Sequence, residues 1–138
     1  MNLVVCLDES FGMTFNNRRL SSDKYVIDDI LIFVCRDKLA LSLYSAKLFS
    51  DSFENLVLAD YLPDDSFEGF YFAENINLSG QLSRFSKIII YKWNRRYPSD
   101  HKFPKVELDN MFKLVDTVRF EGKSHSEITR EVYISEKN

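Results

Sequence analysis

Glycine is scarce in this chain, with four residues in 138. No two of them adjoin, so neither a Gly-Gly pair nor a glycine-rich loop is available to bring bare backbone amides against a phosphate. The three prolines and two cysteines are equally few. Cys6 and Cys35 sit inside apolar segments without a CxxC spacing, which predicts buried free thiols and a reducing compartment. Two histidines, His101 and His125, with no HxH pair, are too few ligands for a zinc site, so no metal is expected. No apolar run approaches the roughly 18 residues that a membrane span needs. The first segment, Met1 to Asp8, lacks a basic leader, and its short apolar run ends in an acid. That argues against a signal peptide and for a soluble, cytoplasmic protein with no membrane partner. A net charge of -3 gives no general attraction for nucleic acid.

What the chain does have is apolar mass. Hydrophobic residues make up 45%, including twelve Phe and seven Tyr, enough for one well-packed domain spanning residues 1–138. Residues 2–8 read as a buried strand, and a loop from Glu9 to Ser21 follows. Ser21 or Ser22 is expected to cap a helix over about 23–36, whose apolar residues recur at spacings of three and four. Strands are expected at 38–43, 56–58 and 70–72, with short helices at 45–49 and 78–85. Lys87 to Trp93, centred on three isoleucines, is the clearest strand in the chain. Residues 111–120 and 127–134 alternate and read as an antiparallel hairpin around the loop 121–126. The order implies an α/β fold, a mixed and mostly parallel sheet with flanking helices and a C-terminal antiparallel hairpin.

Charge is unevenly distributed. Residues 51–74 carry seven acids and no Lys or Arg, whereas residues 87–105 carry six bases against the single acid Asp100.

This order of elements resembles dihydrofolate reductase. Asn2 to Asp8 is similar to that family's first strand, Gly12-Met13 to its loop motif, and Leu20-Ser21-Ser22-Asp23 to its entry into the first helix. Lys87-Ile88-Ile89-Ile90, Phe103-Pro104 and the terminal hairpin match the other end. The resemblance implies a truncated fold of that type, with Asp23 as the helix-start acid facing a pocket. It also exposes losses. The segment that binds the NADPH phosphates in the family is here Leu43-Tyr44-Ser45-Ala46. The Gly-Gly pair is missing, and its strand reads as deleted between Phe72 and Leu78. No Arg lies between Arg36 and Arg84 to meet a folate carboxylate, and Tyr91 stands in place of a Thr that supports the acid. Hydride transfer needs a held nicotinamide, so reductase activity and an NADPH cofactor are not expected. The C-terminal third, around Tyr91 to Asp100 and Gly122 to Tyr133, also resembles short bacterial proteins, some labelled ribonuclease Z. The HxHxDH motif that this label implies is absent, and two isolated histidines cannot build a di-zinc centre.

Three segments carry candidate chemistry. Trp93 to Phe103 interleaves Arg95, Arg96, His101 and Lys102 with Trp93, Tyr97 and Phe103. That pattern suits a protein partner, RNA by phosphate contact and base stacking, or a loop with buried aromatics and solvated charges. Gly122 to Glu127 places Lys123 beside His125. With His101 as the second imidazole it could serve a metal-independent ribonuclease, or it is a hairpin loop with local hydrogen bonds. Asp8 and Asp23 could bind an amine or amidine-like ligand, or act only as a turn residue and a helix-start residue. Arg18 and Arg19 read as lid or solvated charges, and Ser45 lacks the G-x-S-x-G context of a hydrolase. The leading expectation is a binding or interaction protein that is not a reductase. Whether it is an enzyme stays open.

Overall fold

A computed structural model of the chain describes residues 1–49 and 54–136. Asp51, first of the acidic run, lies outside the described residues.

Strand β1 (Asn2–Leu7) is the centre of the molecule. It lies parallel to β6 (Phe70–Phe72) on one side and to β7 (Lys87–Lys92) on the other. Beyond β6 come β4 (Leu39–Leu41) and β5 (Leu56–Leu58), both parallel. Beyond β7 come β10 (Ile128–Ser135) and β9 (Phe112–Phe120), which pair antiparallel as the expected hairpin. The sheet order is β5-β4-β6-β1-β7-β10-β9. Central strands read as continuous apolar runs because both faces are covered. On one face Val4, Phe70, Phe72, Ile89 and Tyr91 pack under α1 (Lys24–Val34) through Val26, Ile30 and Val34. On the other, Leu3, Val5, Leu7, Tyr71, Ile88 and Ile90 pack with Leu82, Phe85, Phe103 and Leu108.

Several local expectations need correction. The loop Glu9 to Ser21 contains a hairpin of β2 (Gly12–Phe15) and β3 (Arg18–Arg19), joined by β8 (His101–Lys102) in a small second sheet. Its turn residues Asn16 and Asn17 both have positive φ, 50° and 63°, as a two-residue hairpin turn requires. Neither Ser21 nor Ser22 caps α1. Asp23 does, with extended backbone and a side chain that accepts from the Tyr25 amide. The helix α2 covers Leu43–Ala46 and is capped by Ser42, earlier than expected. The helix expected at 78–85 shrinks to one 3-10 turn at Leu82–Arg84, since Gly80 adopts a φ of 76° and breaks the run. An unexpected helix, α3 (Lys105–Met111), precedes β9 and follows Pro104, with Glu107 in its first turn accepting from the Gly80 amide at 2.9 Å.

Neither cysteine is fully buried, against the expectation that both are, and the two differ: Cys6 is half-buried and Cys35 exposed. Both are free, but Cys35 ends α1 with a φ of 57° and is exposed. Cys6 lies in β1, where burial and the nearby Glu74 carboxylate push its thiol upward. A thiol-reactive disulfide reagent is therefore expected to modify Cys35 quickly in the native protein and Cys6 much more slowly, with the difference lost on denaturation. Two fast thiols in the native state would contradict this arrangement. Among the described residues, no helix is long and apolar enough to cross a membrane.

Candidate functional site

The entry to α1 and the loop of the C-terminal hairpin meet over a distance of about a hundred residues in sequence, and Asp23 is the meeting point. Its Oδ1 accepts from the amides of Tyr25 at 2.9 Å and Lys123 at 3.0 Å. Its Oδ2 accepts from the Ser124 amide at 2.9 Å, the Ser124 hydroxyl at 3.2 Å and His125 Nδ1 at 2.8 Å. Five donors converge on a carboxylate that offers about four lone-pair directions. The side chain has no exposed surface. Burial alone would raise the pKa of this group, but the amides of Lys123 and Ser124, His125 and the Tyr25 amide outweigh it and hold the carboxyl well below its usual range.

Gly122 makes the approach possible. A methyl group there would stand 2.6 Å from Asp23 Oδ2 and 3.0 Å from the His125 carbonyl oxygen. The Gly122 amide also donates to that carbonyl at 2.9 Å, closing the loop on itself. His125 is held on its remaining sides. Its Nε2 lies 2.8 Å from Ser21 Oγ, and the Trp93 ring stacks on it with centroids 4.8 Å apart and planes at 25°.

Tyr91 does not support Asp23. Its hydroxyl donates to Asp29 at 2.6 Å, and Arg130 Nη1 reaches the same oxygen at 2.8 Å. The support for Asp23 comes instead from the hairpin loop.

Beside Asp23 lies a cleft of about 630 Å³ with an apolar wall of Ile27, Leu31, Leu48 and Phe49. Lys24, Asp28 and Lys123 complete its lining with charged groups.

A second cluster occupies the carboxyl ends of β4 and β6. Arg19 holds Glu74 through two parallel bonds, Nε to Oε2 at 2.8 Å and Nη2 to Oε1 at 2.9 Å. Ser45 donates to the same carboxylate at 2.7 Å, and the Arg19 guanidinium lies over the Tyr44 ring at 4.2 Å. The resemblance to dihydrofolate reductase gives the segment after β4 to the NADPH phosphates. Here Ser45 of that segment serves a carboxylate that is 8% exposed at its side chain. The chain leaves β6 through Ala73 and Glu74, with neither a Gly-Gly pair nor an α-helix to follow. The losses expected between Phe72 and Leu78 thus spare β6 beside β1, and the half-buried Glu74 closes its end. A pyrophosphate placed there would meet the Glu74 carboxylate, with the Arg19 guanidinium already committed to it, and would find no glycine amides or helix N-terminus to receive it. The residues present do not fit NADPH.

The other candidates are dispersed. Asp8 is buried and accepts from the amides of Gly12 at 2.7 Å and Tyr97 at 3.0 Å, and from both the amide and the hydroxyl of Ser10. Burial opposes ionisation, but these donors hold its carboxyl below the usual range, and it ties the end of β1 to the 93–98 segment. In that segment Trp93 and Phe103 are buried, Tyr97 is half-buried, and Arg95, Arg96 and Lys102 are exposed. Lys102 Nζ bonds the Ser10 hydroxyl at 3.1 Å. His101 sits on the small sheet with Nε2 against the Ile76 carbonyl at 2.8 Å, so the two imidazoles have separate partners. The Lys123 side chain is exposed at the cleft, while its amide serves Asp23. Arg19, read as a lid or solvated charge, is the partner of Glu74.

Sequence reasoning found Asp23 and His125 but did not join them, and it missed Ser21, Ser124 and Glu74. The one available signal was the resemblance, which sets the first helix and the terminal hairpin in a known order. No periodicity connects positions 102 residues apart.

The chain matches no protein-family model and no curated protein. Its structure is similar to that of dihydrofolate reductase from Enterococcus faecalis, solved as a complex with NADP(H) and RAB-propyl. The TM-score is 0.71 at 11% identity, over 99% of this chain and 96% of that one. The fold is dihydrofolate-reductase-like, as the order of elements suggests. The ribonuclease Z label carried by proteins similar to the C-terminal third gains no support from these comparisons.

Proposed function

We propose that the chain is a small-molecule-binding protein on a dihydrofolate-reductase-like scaffold and does not act as a reductase. The observation that carries this reading is the saturated Asp23 carboxylate. A helix-start acid that serves a bound substrate must keep acceptor capacity for it. Here all of that capacity goes to Tyr25, Lys123, Ser124 and His125. The Glu74 carboxylate, held by Arg19 and Ser45, supports the same reading from the cofactor side. The cleft along α1 remains as the binding site, suited to a ligand with an apolar body and a polar end at Lys24, Asp28 and Lys123. RNA binding at residues 93–103, or ribonuclease action by His101 and His125, draws less support, because the aromatics Trp93 and Phe103 are buried and the histidines have separate partners.

The test is direct. A ligand at a hundred times its Kd stabilises by about 2.7 kcal/mol, about 10 °C in a domain of this size. Millimolar NADPH is expected to move the melting temperature by less than about 1 °C, with no oxidation of NADPH in the presence of dihydrofolate. Turnover, or a shift of several degrees, would overturn the reading.

A further inference from the structure

Helix capping explains why Asp23 binds the Tyr25 amide. It does not explain why an imidazole is clamped between that carboxylate and a serine two residues ahead of the cap. Asp23 Oδ2, His125 and Ser21 Oγ form a continuous line, with 2.8 Å on each side of the ring. An ionised carboxylate only accepts, so His125 Nδ1 carries the ring proton. In the neutral ring Nε2 then presents its lone pair, and the Ser21 hydroxyl donates to it. This is the arrangement of an activated nucleophile: a hydroxyl on a base, and a base oriented by a third group. The ring cannot rotate away, because Trp93 covers one face and the Lys123 and Ser124 amides fix the carboxylate.

Ser21 is half-buried and does not itself line the cleft, but its chain neighbours Ser22 and Asp23 do, as does Ser124 beside His125. Among the first amides of α1, that of Tyr25 goes to Asp23 Oδ1 and that of Val26 to the Asp23 carbonyl. The amide of Lys24, a residue that lines the cleft, is the first of α1 and has no acceptor within the helix. The apolar wall of Ile27, Leu31, Leu48 and Phe49 selects the acyl group.

We propose that Ser21 is an acyl-transfer nucleophile, with His125 as its general base and Asp23 as the positioning residue, acting on esters whose apolar acyl chain lies in the cleft along α1. The proposal rests on the reading of that cleft as a binding site. Ser21 Oγ bonds to the carbonyl carbon while its proton passes to His125 Nε2. The ester C–O bond then breaks, and the leaving alkoxide takes that proton as the alcohol. Water adds to the acyl-serine with His125 again accepting the proton. The Ser21–acyl bond breaks, the proton returns to Ser21 Oγ, and the carboxylic acid departs.

The full chain is mixed with p-nitrophenyl octanoate, and p-nitrophenolate release and intact mass are followed. A burst of up to one equivalent is expected, with an octanoyl adduct on the peptide that contains Ser21. Ser21→Ala should abolish the adduct, and His125→Gln should slow its formation at least about 100-fold. Asp23→Asn should slow it too, and in 15N spectra His125 should lose its pure Nδ1–H tautomer, a change that a merely structural role would not produce. Absence of an adduct on Ser21 in the wild-type chain overturns the proposal without any variant having to fold, as does equally fast acylation of His125→Gln. A thermal shift with octanoate, measured alongside, separates the two readings. Octanoate binding without acylation removes the nucleophile and leaves the binding site, whereas the absence of both removes both.

Discussion

Gly122→Ala should be among the most damaging single-methyl changes in this protein, at about 3 kcal/mol of stability. The added carbon meets Asp23 Oδ2 at 2.6 Å and the His125 carbonyl oxygen at 3.0 Å. Neither is the free end of a flexible side chain. The carboxylate is held by five donors and the carbonyl belongs to the loop backbone. Relief requires the loop to lift, which breaks the bonds from Lys123, Ser124 and His125 to Asp23 together. Overpacking costs about 1–3 kcal/mol, and unpairing buried acceptors and donors adds to that. Gly80→Ala supplies the contrast. Nothing lies within 4 Å of a methyl group there, and only the φ of 76° opposes it. It should cost about 1–2 kcal/mol, the strain of a left-handed residue alone. Urea denaturation of both variants checks the pair. Equal costs would mean that Gly122 is not needed for the approach of the loop to Asp23.

The contrast also separates what the sequence makes legible from what it hides. β1, β7 and the β9–β10 hairpin could be read because each is long enough for its apolar pattern to show, a continuous run where both faces are buried and alternation at the sheet edge. β2 and β3 could not, since four and two residues carry no period, and only the asparagines of their turn mark them. α3 was hidden because Lys105 to Met111 shows no full apolar face, with Leu108 its one buried residue. The site was half legible. Asp23 and His125 each stood out as residue types, but a hydrogen bond across 102 positions exists only once the terminal hairpin has paired with β7. Residue type alone pairs His125 with His101, whereas the fold pairs it with an acid and sets His101 against the Ile76 carbonyl. The Arg19–Glu74 pair was hidden for the same reason, because an ion pair between distant segments leaves no pattern in the chain.

Asp23→Asn should cost about 3–4 kcal/mol at neutral pH, and that cost should shrink in acid. The amide has the shape of the carboxyl, but one acceptor becomes a donor. Whichever end its nitrogen takes, it faces backbone N–H groups, those of Tyr25 and Lys123 at one side or that of Ser124 with His125 at the other. At least two donors lose their acceptor at a partly buried site, and the charge that strengthened all five bonds is gone. In the wild-type chain, burial works against the ionised form, but the converging donors outweigh it and hold Asp23 below its unfolded range. A group whose folded pKa is depressed contributes stability above its unfolded value, near 3.9 for Asp, and loses that contribution as pH falls toward the folded value. The wild-type chain should therefore lose stability steadily below about pH 4, and Asp23→Asn should lose less over the same window. Asp8, also held low by its backbone donors, gives both proteins a common acid-sensitive share, so the variant is not made acid-resistant. Urea midpoints from pH 7 down to about pH 3 check the sign. A gap between the two proteins that stays constant or widens in acid would mean that the Asp23 carboxylate is not the ionised centre of this site.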